Sequence, residues 1–188
     1  LPDYLWQLGV FYFSENPERA ESYFKESAEI ALETQGEQSV HHGMALIGLA
    51  NLYGKRTEWR PKAIEIDRKL FRIRKESLGI RNKRTALVIL VLAEKLAEEG
   101  KAGEADEWIE EAASEFSKAP PKSDDEWISV GHIIRSVEMS AKRAQLLEIA
   151  RGIFRNPPMS SSALTATADA SATGGGGAPQ ANLEPYKI

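Results

Sequence analysis

Three stretches of this chain carry the same stripe of small and apolar side chains: Ala20, Phe24, Ser27 and Ala31; Ala63, Ile66, Leu70 and Ile73; Ala105, Ile109, Ala112 and Phe116. Within each stripe the steps are of three or four residues, which puts its members on one face of an α-helix. From stripe to stripe the chain advances by about forty residues, a period that signifies stacked helical hairpins. One hairpin cannot bury its own apolar face, so neighbours must stack to make a continuous core.

The rest of the pattern agrees with an all-α fold. No alternating Val/Ile/Thr run bounded by turn residues is present, and the apolar spacing of three and four predicts seven helices, at 3–14, 17–35, 38–54, 58–78, 82–99, 102–118 and 124–154. Asn16 and Pro17 form an N-cap with proline at the first helical position, where a missing N–H costs nothing. Ser123 to Glu126 fits a capping box, with hydroxyl and carboxylate each meeting an orphan amide. Gly36, Gly79 and Gly100 fall where helices stop. The last predicted helix, with Ile134, Val137, Ala141 and Ala144 on one side, is expected to cover the open end of the stack.

These residues also carry a family resemblance. The stretch Phe71 to Gly79 reads FRIRKESLG and is followed by Ala86, Ile89, Leu92 and Ala93, then by Gly100, Ala105 and Ala112. In this the chain resembles tetratricopeptide repeat proteins, and in particular the longer repeats of kinesin light chains. The preceding repeat matches more loosely through Gly36, Leu49, Ala50, Tyr53 and Ala63, and the first through Leu8, Gly9, Tyr12 and Ala20. The resemblance implies a right-handed superhelix of about three hairpins plus a C-terminal capping helix, with the first helix of each hairpin lining a concave groove that holds a partner segment. The paired asparagines with which kinesin light chains hold cargo do not carry over: Ile47 and Gly48, then Leu90 and Val91, stand at those positions.

In the repeat register the concave surface should show Asp3, Trp6, Val10 and Phe13, then Met44, Ile47, Asn51 and Lys55, then Leu87, Leu90, Glu94 and Glu98, with Ser129, His132 and Ser136 from the last helix. From these, Trp6, Val10, Ile47, Asn51, Lys55, Leu90, Glu94 and His132 are the candidate partner-binding residues. The competing reading is that Ile47, Leu87 and Leu90 simply pack between repeats. Asn51, Lys55 and Glu94 are the better candidates, because a core has no use for them.

Charge is segregated along the chain. Residues 1–54 sum to −6, residues 55–84 to +8 and residues 94–126 to −8, within a net charge of −4. The basic block could meet nucleic acid or an acidic partner. Its Arg68, Arg72 and Lys75 share an outward stripe without an aromatic stacking platform, which favours a solvated face neutralised by the acidic repeats on either side.

The inventory offers little for catalysis. With no cysteine there is no thiolate nucleophile, thiolate zinc site or disulfide, and His41 and His42, being adjacent, point to different helix faces. No metalloprotease, phosphate-loop, dinucleotide or serine-hydrolase motif is present. Neither a metal nor another cofactor is expected, and Glu107 with Glu111 reads as the polar side of an amphipathic helix. The longest uncharged apolar run, Thr85 to Ala93, is far short of the roughly 18 to 20 residues that span a bilayer. A chain of the cytoplasm or an organelle interior is compatible with this.

The domain division expected is a helical repeat domain over 1–155, a Ser/Ala/Thr/Gly linker over 156–177 that cannot bury enough apolar surface to order itself, and a terminal segment 178–188, APQANLEPYKI, that regains apolar character. That segment, from Ala178 to Ile188, is either a natural docking peptide or a ligand fused through the glycine-rich linker, and in both cases a candidate occupant of the chain's own groove or of a neighbouring copy. The function expected is a non-enzymatic interaction scaffold that holds a partner peptide or helix and assists assembly of a complex. Self-association through the apolar ends of the stack is the alternative.

Overall fold

Eight α-helices make up the computed structural model, which describes residues 1–153: α1 Pro2–Tyr12, α2 Pro17–Gln35, α3 Val40–Gly54, α4 Arg60–Leu78, α5 Lys83–Glu98, α6 Asp106–Lys118, α7 Asp124–Met139 and α8 Arg143–Ile153. The expected linker 156–177 and terminal segment 178–188 lie outside the described residues. Among the described residues there is no strand, in agreement with an all-α reading. No described helix is long and apolar enough to cross a membrane.

Helix starts and stops follow local chemistry. The Asn16 side chain accepts a hydrogen bond from the Arg19 N–H at 3.0 Å, with Pro17 opening α2. Gly36 and Gly79 close α2 and α4 with φ of 86° and 82°, where a side chain would be strained. The Ser123 hydroxyl accepts from the Glu126 N–H at 3.3 Å, while the Glu126 carboxylate turns back to the Lys122 N–H at 2.7 Å. The predicted helices at 58–78 and 102–118 each begin with a 3-10 turn, Thr57–Trp59 and Ala102–Ala105.

One predicted element is corrected: the capping helix at 124–154 is two helices. At Ser140 the backbone is extended, with φ −73° and ψ 143°. Its hydroxyl accepts from the Lys142 N–H at 2.9 Å and donates to the buried Asp106 carboxylate of α6. Such a local bond competes with helix and starts the next one. Ala141 and Ala144 consequently sit exposed, and Leu146, Ala150 and Ile153 of α8 are buried in their stead.

The first two helices pack as antiparallel neighbours, whereas α5 meets the 3-10 turn Ala102–Ala105 and α7 far more than it meets α6. Ser27 of α2 donates to the Pro2 carbonyl at the start of α1, while Tyr23 stacks on Tyr12 at its end. Further along the chain α2 packs on α3, α3 on α4 and α4 on α5, and α1 also packs on α3, α5 on α7 and α6 on α8. The sequence stripes are buried at all positions but one: Ala20, Phe24, Ser27 and Ala31, then Ala63, Leu70 and Ile73, then Ala105, Ile109, Ala112 and Phe116 lie in the core, while Ile66 is half-buried against it. Phe24 fills a slot between two glycines: an added Cβ would come within 2.5 Å of its ring at Gly9 and within 2.6 Å at Gly48.

A charged tie crosses the stack's interior. Lys95 of α5 reaches Asp67 of α4 at 2.5 Å and the Ala50 carbonyl of α3 at 3.4 Å. Burial pushes the Asp67 carboxyl above its usual range, against the pull of Lys95. A buried pair of this kind adds little net stability and is better suited to fixing how three helices align.

Candidate functional site

The charge blocks meet each other across the stack. Arg68 of α4 pairs with Glu104, and Lys75 with Glu111 of α6 at 2.6 Å; both pairs are 36 residues apart in sequence. Arg60 reaches Glu98 and Glu99 at the end of α5 at 3.2 and 3.1 Å, and Lys83 reaches Asp125 of α7 at 2.8 Å. The +8 segment is thus stitched to the −8 segment that follows it in the chain. Pairs this exposed contribute roughly 0 to 1 kcal/mol each, so their effect is on how the helices align more than on stability. Arg60, Arg68, Lys69, Lys75, Arg81 and Lys83 of the basic block are held in ion pairs.

The expected partner face is divided by the structure into available and unavailable residues. Asn51 is exposed on α3, and so is Lys55, whose ammonium lies 4.1 Å from the centre of the Phe13 ring. Val10 is 44% exposed. Trp6 and Ile47 are half-buried, Trp6 against the core of the first hairpins and Ile47 against the central core. Leu90 is corrected to a core residue at 3% exposure, as is Phe13 at 6%. Ser129 and Ser136 are buried too and serve the backbone, donating to the Arg81 carbonyl at 2.9 Å and the His132 carbonyl at 2.8 Å.

Glu94 on α5 and His132 on α7 come together around one cation. Arg135 of α7 reaches the Glu94 carboxylate at 3.4 Å. Burial pushes the Glu94 carboxyl up from its usual range, with Arg135 opposing. His132 is held below its ordinary value by burial first and by Arg135 second, so its ring is neutral near pH 7. The result is a half-buried polar cluster on neighbouring helices, whose carboxylate makes one long contact with a cation among the described residues.

Arg81 is a residue that sequence reading passed over as one more cation of the basic block. From the turn before α5 its guanidinium binds both Glu126 oxygens at 3.0 Å, the Glu115 and Ala119 carbonyls at 2.9 Å and the Pro120 carbonyl at 3.3 Å. It lies 4.3 Å from the centre of the buried Phe116 ring. It thereby closes the C-terminal end of α6 and anchors the start of α7. Its position in a turn, away from the helical stripe of Arg68, Arg72 and Lys75, was the available signal.

No group of three or more His, Asp or Glu among the described residues could hold a metal ion. His42 is buried and its Nδ1 lies 2.7 Å from the Glu37 carbonyl, while His41 reaches Gln35 at 2.8 Å. No model of a known protein family matches the chain, and no curated protein matches it.

Proposed function

We propose that the chain is a non-enzymatic interaction scaffold of tetratricopeptide type, a superhelical stack that holds a partner's extended segment or helix against α3, α5 and α7. The observation that carries the reading is the set of polar groups left open on these helices. Asn51 on α3 and Lys55 just past its end stand exposed, and among the described residues the Glu94 carboxylate on α5 makes one ion-pair contact, with Arg135 at 3.4 Å. Half-buried Ile47 and Val91 lie beside them. Apolar surface with a few fixed polar groups is what peptide recognition uses, and a partner's cation or amide would complete the coordination of a desolvated carboxylate.

Asn51→Ala, Lys55→Glu and Glu94→Lys are each expected to lower partner affinity roughly five- to thirtyfold, equivalent to about 1 to 2 kcal/mol. The measurement is affinity capture from native extract, quantified against the unsubstituted chain, with helical circular dichroism as the folding control. Undiminished capture by all three variants removes the assignment.

A second reading rests on α1. Leu1, Tyr4, Leu8 and Phe11 recur at the a and d spacing of a heptad, and Leu1, Tyr4 and Phe11 are 76%, 62% and 66% exposed. An open apolar seam at the end of a repeat stack is a site for another helix. Sedimentation velocity from 5 to 200 μM is expected to show weak self-association that Phe11→Glu abolishes. A monomer across that range, at low and high salt alike, rejects it.

A further inference from the structure

Away from the α3/α5/α7 face, α4 and α6 leave between them an open cleft of about 590 Å³. Its floor is Ile64, Phe71, Leu96 and Trp108, with the Phe71 and Trp108 rings 5.3 Å apart. Its charged rim includes Glu65, Arg68, Arg72 and Lys101. Arg68 is engaged by Glu104, whereas Glu65, Arg72 and Lys101 have no ion-pair partner among the described residues. The lining on α4 runs from Pro61 to Arg72, about 16 Å at 1.5 Å per residue.

We propose that this cleft is the docking site for the chain's own segment Leu183 to Ile188, bound in cis. Three observations favour that occupant. The first is chemical. Beyond residue 155, Tyr186 is the one aromatic residue, and Leu183, Glu184, Pro185, Tyr186, Lys187 and Ile188 alone combine apolar side chains with both signs of charge. Pro185 favours polyproline II geometry, whose three-residue period sets Leu183 and Tyr186 on one side and Glu184 and Lys187 on another. The apolar pair then suits the Ile64, Phe71 and Trp108 floor, Glu184 suits Arg72 and Lys101, and Lys187 suits Glu65.

The second is length. Six residues of polyproline II advance about 16 Å over five steps of 3.1 Å, the extent of the α4 lining. The third is position. The described chain ends at Ile153 on α8, where Gly152 abuts Ser117 of α6 and the Ser117 hydroxyl donates to the Ile149 carbonyl at 2.6 Å. Trp108 lies nine residues back along the same α6, about 14 Å away. The stretch between Ile153 and Leu183 spans up to about 100 Å when extended, so reach is ample, and tethering at such lengths gives an effective concentration on the order of millimolar. Even a weak segment would be largely bound.

The test compares the full chain with one lacking residues 178–188, reading the Trp108 indole N–H resonance, assigned with Trp108→Phe, and amide exchange over residues 60–72. Deletion is expected to shift the resonance and speed exchange over that part of α4 roughly two- to tenfold, leaving α3 unchanged. Arg72→Glu and Tyr186→Ala, both in the full chain, should reproduce the deletion with helical circular dichroism intact. The peptide APQANLEPYKI at millimolar concentration should return the truncated chain's Trp108 resonance to its full-length position. An unmoved resonance and unchanged exchange on deletion overturn the proposal. So does a shift that develops only as protein concentration rises, which would place the segment on a second copy.

Discussion

Replacing Gly48 by alanine is expected to lower the free energy of unfolding by about 3 kcal/mol, the upper end for overpacking a tight core. Its new Cβ would stand 2.6, 2.7 and 2.8 Å from three carbons of the Phe24 ring, inside van der Waals contact. The ring cannot retreat, because Gly9 of α1 backs it on the other side at equally short range. Phe24 is fully buried where α1, α2 and α3 meet, so the strain passes into helix spacing. For a chain of this size the melting temperature should drop by roughly 6 to 12 °C, measured by thermal unfolding followed by circular dichroism. In a Phe24→Leu background, where the ring is gone, Gly48→Ala should cost less than about 1 kcal/mol. Equal costs in the two backgrounds would show that the ring is not what the glycine accommodates.

Arg81→Met is expected to cost about 3 kcal/mol, because it removes a forked pair with Glu126 and leaves the Glu115 and Ala119 carbonyls without their donor. Arg81→Lys should recover less than half of that, since an ammonium cannot engage a carboxylate and two carbonyls in one plane. Acid supplies an independent check. The Arg81 guanidinium holds the Glu126 carboxyl below its ordinary value of 4.5, with the Lys122 amide adding to it. A carboxyl depressed in the folded state stabilises fully above its unfolded pKa and loses that contribution as pH falls through the folded one. The gap in stability between the unsubstituted chain and Arg81→Met should therefore be widest near pH 6 and narrow below about pH 4.5. A gap that stays constant from pH 7 to pH 3 would show that the Glu126 pair contributes nothing.

Gly48 and Arg81 both act at contacts between helices, which leave no local pattern in the sequence. The stripes through Phe24, Leu70 and Ile109 were readable because an amphipathic helix on the surface of a stack has one buried side, and periodicity reports that side directly. The stops at Gly36 and Gly79 were readable because positive φ is a local demand. A repeat register points Leu90 toward the partner face because it predicts direction but not depth. The uncharged run from Thr85 to Ala93 was the signal for depth: a helix apolar all round is covered all round, and α5 buries Thr85, Ala86, Val88, Ile89, Leu90, Leu92, Ala93 and Leu96.

Local sequence determined the helical class, the turn glycines and most of the three core stripes, since each depends on residues within a turn or two of one another. Tertiary structure alone decided the rest. It broke the capping helix at Ser140, where a hydroxyl serves Asp106 on another helix. It joined cations to acids 36 and more residues away, selected Arg81 from a dozen basic side chains as the one closing α6 onto α7, and set Phe24 between two glycines from different helices. Each of these follows from which helix faces which at what distance, and pairwise complementarity across a packed interface leaves no period in the sequence to read.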